Sequence, residues 1–310
     1  MKSLLDYIAL NFTRLLIGLI RFLPARASFV LVRACISLLC LFIPRLKRIA
    51  RKNLELVFPK YSNDKREEIL NASFGILAEN LIGYAKIPDL ANKEIRVELS
   101  GQSNWEDIKE AERRAEGVGT MFTTAHFGCF ESGAQAWAKY YKPVGILARG
   151  FGLPKLDHWW NSRRELFGNK VFSRAGGYKE IEHRLRQGNS VTLLFDQNVK
   201  RNHAVFVDFL GIPAATTKTV ALAALRTKAP VFFLAPLRRE GDVFYLNCTK
   251  IIDADTLDGS IDEKIRIITQ DLSHALENVI RKYPEQWFWI HRRFKTRPEG
   301  EPENIYTTRN

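Results

Sequence analysis

The chain has 310 residues, 46% hydrophobic and 26% charged, which fits one or two globular domains and excludes a disordered chain, a collagen-like repeat and a disulfide-stapled miniprotein. Its net charge of +13 is unevenly placed: residues 1–60 hold eleven Lys/Arg against Asp6 and Glu55, whereas residues 61–290 hold 31 basic and 29 acidic groups. A near-neutral body disfavours a basic core wrapped in nucleic acid and directs attention to the amino terminus.

That terminus opens with two apolar runs of helical character, LLDYIALNFTRLLIGLIRFL and SFVLVRACISLLCLFI, separated by Pro24 and closed by Pro44. The second run would be about 24 Å long as a helix, short of a hydrocarbon core of roughly 30 Å, and Arg33 interrupts it. The first is long enough, yet Asp6, Thr13, Arg14 and Arg21 would form one polar stripe along it. This pattern predicts a helix lying in a membrane interface with its arginines reaching toward phosphates. Arg14 and Arg21 also argue against a cleaved signal peptide. A pair of buried helices in a soluble protein is the other reading. Against it stand Arg45, Lys47, Arg48, Arg51 and Lys52 directly after the second run. Such residues bind anionic headgroups, at about 1 kcal/mol each, and mark a cytoplasmic face.

Beyond Pro59 a helix is predicted over 66–84. From about residue 94, β-rich runs at 118–124, 143–149, 190–196, 230–236 and 243–252 alternate with helical stretches near 103–114, 131–141, 154–167, 178–187 and 216–227. A long helix is predicted over 261–282. The alternation predicts an α/β fold: a mixed, mostly parallel sheet covered by helices, with ligands at the carboxyl ends of its strands. The simplest partition is a membrane-anchoring helical segment, 1–50, and one catalytic domain, 51–310.

The four cysteines form no CxxC pair and the six histidines show no ligand spacing, so no metal site is expected. The stretch TTAHFGCFESG, 123–133, is the most informative for chemistry. His126 and Glu131 are five residues apart, about 140° on a continuous helix, and cannot share a helix face. With His126 in a strand-to-helix turn and Glu131 in the first helical turn, the carboxylate would reach one ring nitrogen and fix the tautomer. The other nitrogen would then serve as general base, and free N–H groups at the helix start would stabilise an oxyanion. A Cys129–His126 nucleophile pair is the rival reading of the same stretch. Arg149, closing the run PVGILAR, and Arg164, in DHWWNSRRELFG, are candidates for holding a phosphate. Asp196, Gln197 and Asn198, in FDQN, close the run SVTLLF, where α/β enzymes place ligand-handling groups. The aromatic and basic stretch YPEQWFWIHRRFKTRP suits a rim against the sheet or a contact with lipid.

Six ordered stretches together carry a resemblance: RKNLELVFP at 51–59, HFGCFE at 126–131, a D-x6-R-x3-G pattern from Asp157 through Arg164 to Gly168, FDQN at 195–198, DFLGIPAATT at 208–217 and PEQWFWIHRRFK at 284–295. Over nearly its whole length the chain resembles the lipid A biosynthesis (late) acyltransferases, which add secondary acyl chains to the Kdo-bearing lipid A precursor; the fold this implies is glycerolipid acyltransferase-like. The resemblance further implies an enzyme at the cytoplasmic face of the bacterial inner membrane, an acyl-carrier-protein thioester as donor, a phosphorylated glycolipid acceptor, and no cofactor. It makes His126 and Glu131 the catalytic pair, and Arg149, Arg164 and Asp196 acceptor-site or structural residues. Where the family usually has Asn and Trp between the glycine and the acid, this chain has Cys129 and Phe130. Two alternatives remain open at this point: the same chemistry on another membrane lipid (a phospholipid, a glycosylated phosphatidylinositol or an aminolipid), or a non-catalytic membrane-surface binding protein on the same fold.

Overall fold

The computed structural model describes residues 2–302, 305 and 306. Two long helices, α1 (Lys2–Phe22) and α2 (Ala25–Phe42), meet at Pro24, where the missing N–H ends one helix and the fixed φ starts the next. Both are long and apolar enough, by length and composition, to cross a membrane, yet only 22% of each apolar window is buried. The outward faces carry Leu5, Ile8, Phe12, Leu15 and Phe22 of α1 and Val30, Leu38, Leu41 and Phe42 of α2.

The polar stripe of α1 docks on the rest of the protein, with Asp6 buried and Arg14 and Arg21 remaining exposed. Asp6 is buried and accepts the backbone N–H groups of Lys155 (2.9 Å) and Leu156 (3.1 Å), at the start of a helix whose own N-cap residue, Leu153, has no side-chain oxygen to offer. Arg14 lies over the Trp159 ring and Arg21 pairs with Asp89 at 2.7 Å. Asp6 thus caps another helix from a distance of 149 residues in sequence. Asp6→Ala is expected to cost about 1–2 kcal/mol, and Asp6→Asn, which keeps an acceptor oxygen, distinctly less. Thermal unfolding of the two detergent-purified variants checks this; equal losses would remove the capping role.

Next come α3 (Arg45–Val57) and α4 (Asn63–Ala85), the latter capped by Ser62. Helix α3 buries Ile49, Ala50, Asn53, Leu54 and Val57 on one side and carries the basic cluster on the other, crossing residue 50 as it does so. The remaining elements, in order, are β1 (Arg96–Gly101), α5 (Trp105–Arg114), β2 (Met121–Thr123), α6 (Phe130–Tyr140), β3 (Gly145–Ala148), α7 (Pro154–Arg164), β4 (Lys170–Ser173) and α8 (Gly177–Arg186). They continue with β5 (Val191–Thr192), β6 (Ala204–Phe209), β7 (Ile212–Thr217), α9 (Thr219–Thr227), β8 (Val231–Glu240), β9 (Val243–Lys250) and α10 (Ile261–Lys282).

Seven strands form one sheet in the order β1-β9-β8-β2-β5-β3-β4, parallel throughout except for the β8–β9 hairpin, so the predicted mixed, mostly parallel α/β sheet is present. Alternation along β8 supplies both faces: Phe233 and Ala235 pack with Val220 and Ala224 of α9 and Ile268 and Leu272 of α10, while Phe232 and Leu234 pack with Ile108 of α5 and Ala136 and Trp137 of α6. Strands β6 and β7 form a separate antiparallel hairpin. That hairpin, β1 and β4 fall outside the predicted runs. The sheet ends with β1 and β4, and their exposed, polar positions lack the apolar continuity by which buried parallel strands are recognised.

Candidate active site

Parallel strands deliver their carboxyl ends to one edge of the sheet, and β2 and β5 are neighbours there. The turns that follow them are stitched by a bridge between Thr124 and Leu194. Two residues farther along each chain stand His126 and Asp196. His126 Nδ1 lies 2.9 Å from Asp196 Oδ1, and the His126 backbone N–H donates to Oδ2 at 3.2 Å. Trp287 Nε1 donates to the same Oδ2 at 3.0 Å. Burial alone would raise the Asp196 pKa, but the adjacent His126, the two side-chain hydrogen bonds and the Arg293 charge outweigh it and bring it to about 2. An ionised carboxylate only accepts, so Nδ1 carries the proton and Nε2 is left with its lone pair.

The carboxylate that orients His126 is therefore Asp196, and not Glu131 as the HxxxxE spacing predicts. Glu131, in the first turn of α6, faces α7 instead and accepts a two-pronged hydrogen bond from Arg164: Nε to Oε2 at 3.0 Å, and Nη2 to Oε1. Both side chains are mostly buried. The Arg164 pKa is raised because the Glu131 charge and hydrogen bonds overcome the effect of burial. Asp196, expected among the acceptor-handling groups, is itself 2% exposed and lies behind His126.

The turn between His126 and α6 is held from three sides. Gly128 has φ +53°, and a Cβ on it would fall 1.9 Å from the Pro236 carbonyl oxygen, so only glycine fits. Gly128 N–H donates to Gln286 O, Cys129 N–H to Pro236 O and Phe288 N–H to His126 O. From α4, Asn80 donates to the Gly128 carbonyl and accepts from Glu131 N–H at 3.5 Å. These bonds occupy three N–H groups on which the oxyanion expectation drew. Cys129 lines a cavity on the far side of the turn and not the cleft at His126, and burial pushes its thiol up to about 12, so the structure does not bring the two together as a nucleophile pair.

Nε2 of His126 opens into a cleft of about 290 Å³ lined by Glu131, Gln135, Arg149, Arg164, Arg174 and Gln197, among others. Arg149 and Arg174 directly follow β3 and β4, which pair in parallel, so one topological rule brings both guanidinium groups to the cleft. Gln197 places its side-chain amide 3.3 Å from His126 Nε2. Gln135 is fully buried one helical turn after Glu131, and among the described residues its Nε2 has no partner. The cleft continues past Phe130 and Thr124 into an apolar slot of about 30 Å³ between Phe122, Trp137, Leu234 and Leu246. Of these groups the sequence reading singled out Gln197, beside Asp196, and missed Asn80, Gln135, Arg174 and Trp287. Gln197 and Trp287 lie inside FDQN and PEQWFWIHRRFK; the other three lie in no recognisable motif.

The carboxyl-terminal stretch is a rim against the sheet. Trp287, Trp289 and Phe294 are buried, and Asn53 of α3 donates to the carbonyls of Trp289 (2.6 Å) and His291 (2.8 Å). His291 Nε2 accepts the Asn198 N–H, and burial lowers its pKa to about 4, which keeps it the neutral acceptor that bond requires. Fully buried Arg293 donates to Ala215 O and Thr216 Oγ1 and so holds the β6–β7 hairpin. RKNLELVFP, FDQN, DFLGIPAATT and PEQWFWIHRRFK thus converge on one support behind Asp196.

Comparison with known proteins agrees with this architecture. Residues 3–296 match the family model for bacterial lipid A biosynthesis acyltransferases. The chain is similar to the lipid A biosynthesis palmitoleoyltransferase of Escherichia coli (strain K12), 27% identical over 262 residues, covering 84% of this chain and 82% of that protein. It is also similar to the myristoyltransferase of the same pathway and organism, 27% identical over 255 residues (82% of this chain and 77% of that protein). To the lauroyltransferase it is 26% identical over 265 residues, 84% of this chain and 83% of that protein. With the family model spanning almost all of the chain, this protein is an acyltransferase and belongs to the bacterial lipid A biosynthesis acyltransferase family.

Proposed function

We propose that the protein transfers a fatty acyl chain from an acyl-carrier-protein thioester to a hydroxyl of a lipid A precursor at the cytoplasmic face of the inner membrane. The observation that carries this reading is the Asp196–His126 pair, aimed by Nε2 into a cleft that is cationic at Arg149, Arg164 and Arg174 and apolar toward Phe122 and Trp137. His126 Nε2 takes the proton of the acceptor hydroxyl as its oxygen attacks the thioester carbonyl. The tetrahedral intermediate then collapses, the C–S bond breaks, and the imidazolium returns the proton to the departing thiolate. The Gln197 amide occupies the approach to Nε2 and is displaced by, or donates to, the incoming oxygens. Arg149 and Arg174 suit acceptor phosphates, and the unpartnered Gln135 Nε2 is a ready donor to the bound substrate. Glu131 serves catalysis by fixing the Arg164 guanidinium at the cleft wall. In this reading residues 1–50 attach the enzyme to the bilayer through the outward faces of α1 and α2 and the basic side of α3, and residues 51–310 form the acyltransferase domain.

Lipid A mass spectra from strains with and without the gene test the acceptor. The expected result is loss of one acyl chain on deletion, restored by the wild-type gene and not by His126→Ala. An unchanged lipid A accompanied by a changed phospholipid or aminolipid would move the same chemistry to another acceptor.

A further inference from the structure

A second cavity, of about 440 Å³, lies on the other side of the catalytic turn from the cleft at His126. Gly128, Cys129 and Ser132 form one wall, and His126 is not among its lining residues. Ala25 and Phe29 of α2 and Ile76 and Ile82 of α4 make a second wall that is apolar. The end of the β8–β9 hairpin closes it with Leu237, Arg238, Arg239 and Gly241. Three cations, Lys86, Arg238 and Arg239, face one acid, Glu79. Glu79 lies on α4 and Lys86 caps its carboxyl end seven residues on, about 10 Å along the axis, so the acid and Lys86 stand at different ends of that wall. Arg238 gives one N–H to Glu240 at 2.6 Å, and Arg239 gives one to Gly241 O at 2.7 Å and one to Asp242 at 3.3 Å. A guanidinium has five donors, so both retain N–H groups for a ligand.

The mouth of this cavity adjoins the outward apolar surface. Ala25 is exposed, and Phe22, three residues before it, and Val30, directly after Phe29, are 86% and 67% exposed. A ligand entering here meets hydrocarbon on one side and the spare N–H donors of Lys86, Arg238 and Arg239 on the other. We infer that this cavity binds one anionic phospholipid of the bilayer, with its phosphate on Lys86, Arg238 and Arg239 and the start of an acyl chain along Phe29, Ile76 and Ile82. The lipid is distinct from the substrates because the catalytic turn stands between it and the cleft. It would buttress that turn at Gly128 and Cys129.

The test is native mass spectrometry of the full chain purified in neutral detergent and offered equal amounts of dioleoyl phosphatidylglycerol and dioleoyl phosphatidylcholine. The wild type is expected to retain one phosphatidylglycerol, preferred about tenfold, which corresponds to about 1.4 kcal/mol. The double variant Arg238→Glu/Arg239→Glu should lose the preference. Ala25→Trp, at an exposed position on the mouth, should lose the retained lipid while keeping the wild-type unfolding temperature. No preference in the wild type, or undiminished retention in the Ala25→Trp protein, overturns the proposal. Acyl transfer is not the readout, so either result leaves the proposed reaction standing.

Discussion

Asp196→Asn is expected to lower kcat for acyl transfer by about 10³- to 10⁴-fold with little change in KM, the magnitude seen when the carboxylate behind a catalytic imidazole becomes an amide. The cause is the tautomer. Asp196 accepts from His126 Nδ1–H, from the His126 backbone and from Trp287 Nε1. An amide nitrogen in place of Oδ1 donates to Nδ1, so the ring proton moves to Nε2 and the general base is lost. The carboxylate also stabilises the imidazolium formed during transfer, and an amide does so far less well. Single-turnover measurement of acyl transfer by the purified variant decides the matter. Near-normal turnover would show that His126 works without Asp196 and return the orienting role to another group.

The second large effect is expected at Glu131 and Arg164. Each side chain is mostly buried and has the other as its charge partner. Glu131→Leu leaves a guanidinium, and Arg164→Met a carboxylate, without compensation in a desolvated place, at a cost of about 3–5 kcal/mol each. The double variant Glu131→Leu/Arg164→Met removes both charges and should recover most of that stability. Activity should not recover: in all three proteins the cleft wall beside His126 has lost the fixed guanidinium, and turnover should fall by at least about 100-fold. Unfolding midpoints and turnover measured on the same preparations separate the two contributions. A stable double variant with wild-type turnover would reduce this pair to structural support and remove Glu131 from the reaction.

Much of the site was readable because its residues fall in short ordered motifs. His126 lies between an apolar run and a helical pattern, with Gly128 at the turn, so its place at a strand end follows from local sequence. Its partner does not. Glu131 is close in sequence, yet from the first turn of α6 its carboxylate meets Arg164. Asp196 is seventy residues distant and meets His126 because β2 and β5 are adjacent parallel strands. Strand order is a property of the folded sheet, and hydrophobic periodicity does not encode it. Arg149 and Arg174 illustrate the same limit: one ends a clear apolar run, the other follows a four-residue strand with no such pattern, and only the pairing of β3 with β4 unites them.

The positive amino terminus shows a comparable division. Charge counting and hydropathy locate an apolar, basic segment in the first sixty residues, and the structure keeps its apolar faces outward. The polar stripe of α1 has a different use from the one its spacing implies. Asp6 completes the unsatisfied N-terminus of α7, the helix that carries Arg164, because a buried carboxylate needs donors and a helix start has N–H groups to give. Composition, periodicity and motif order determined by themselves the fold class, the family and the place of His126 at a strand end. Tertiary structure decided which carboxylate meets His126, which arginines share its cleft and where the first helix docks. Those depend on contacts between residues far apart in the chain, whose energies local sequence does not carry.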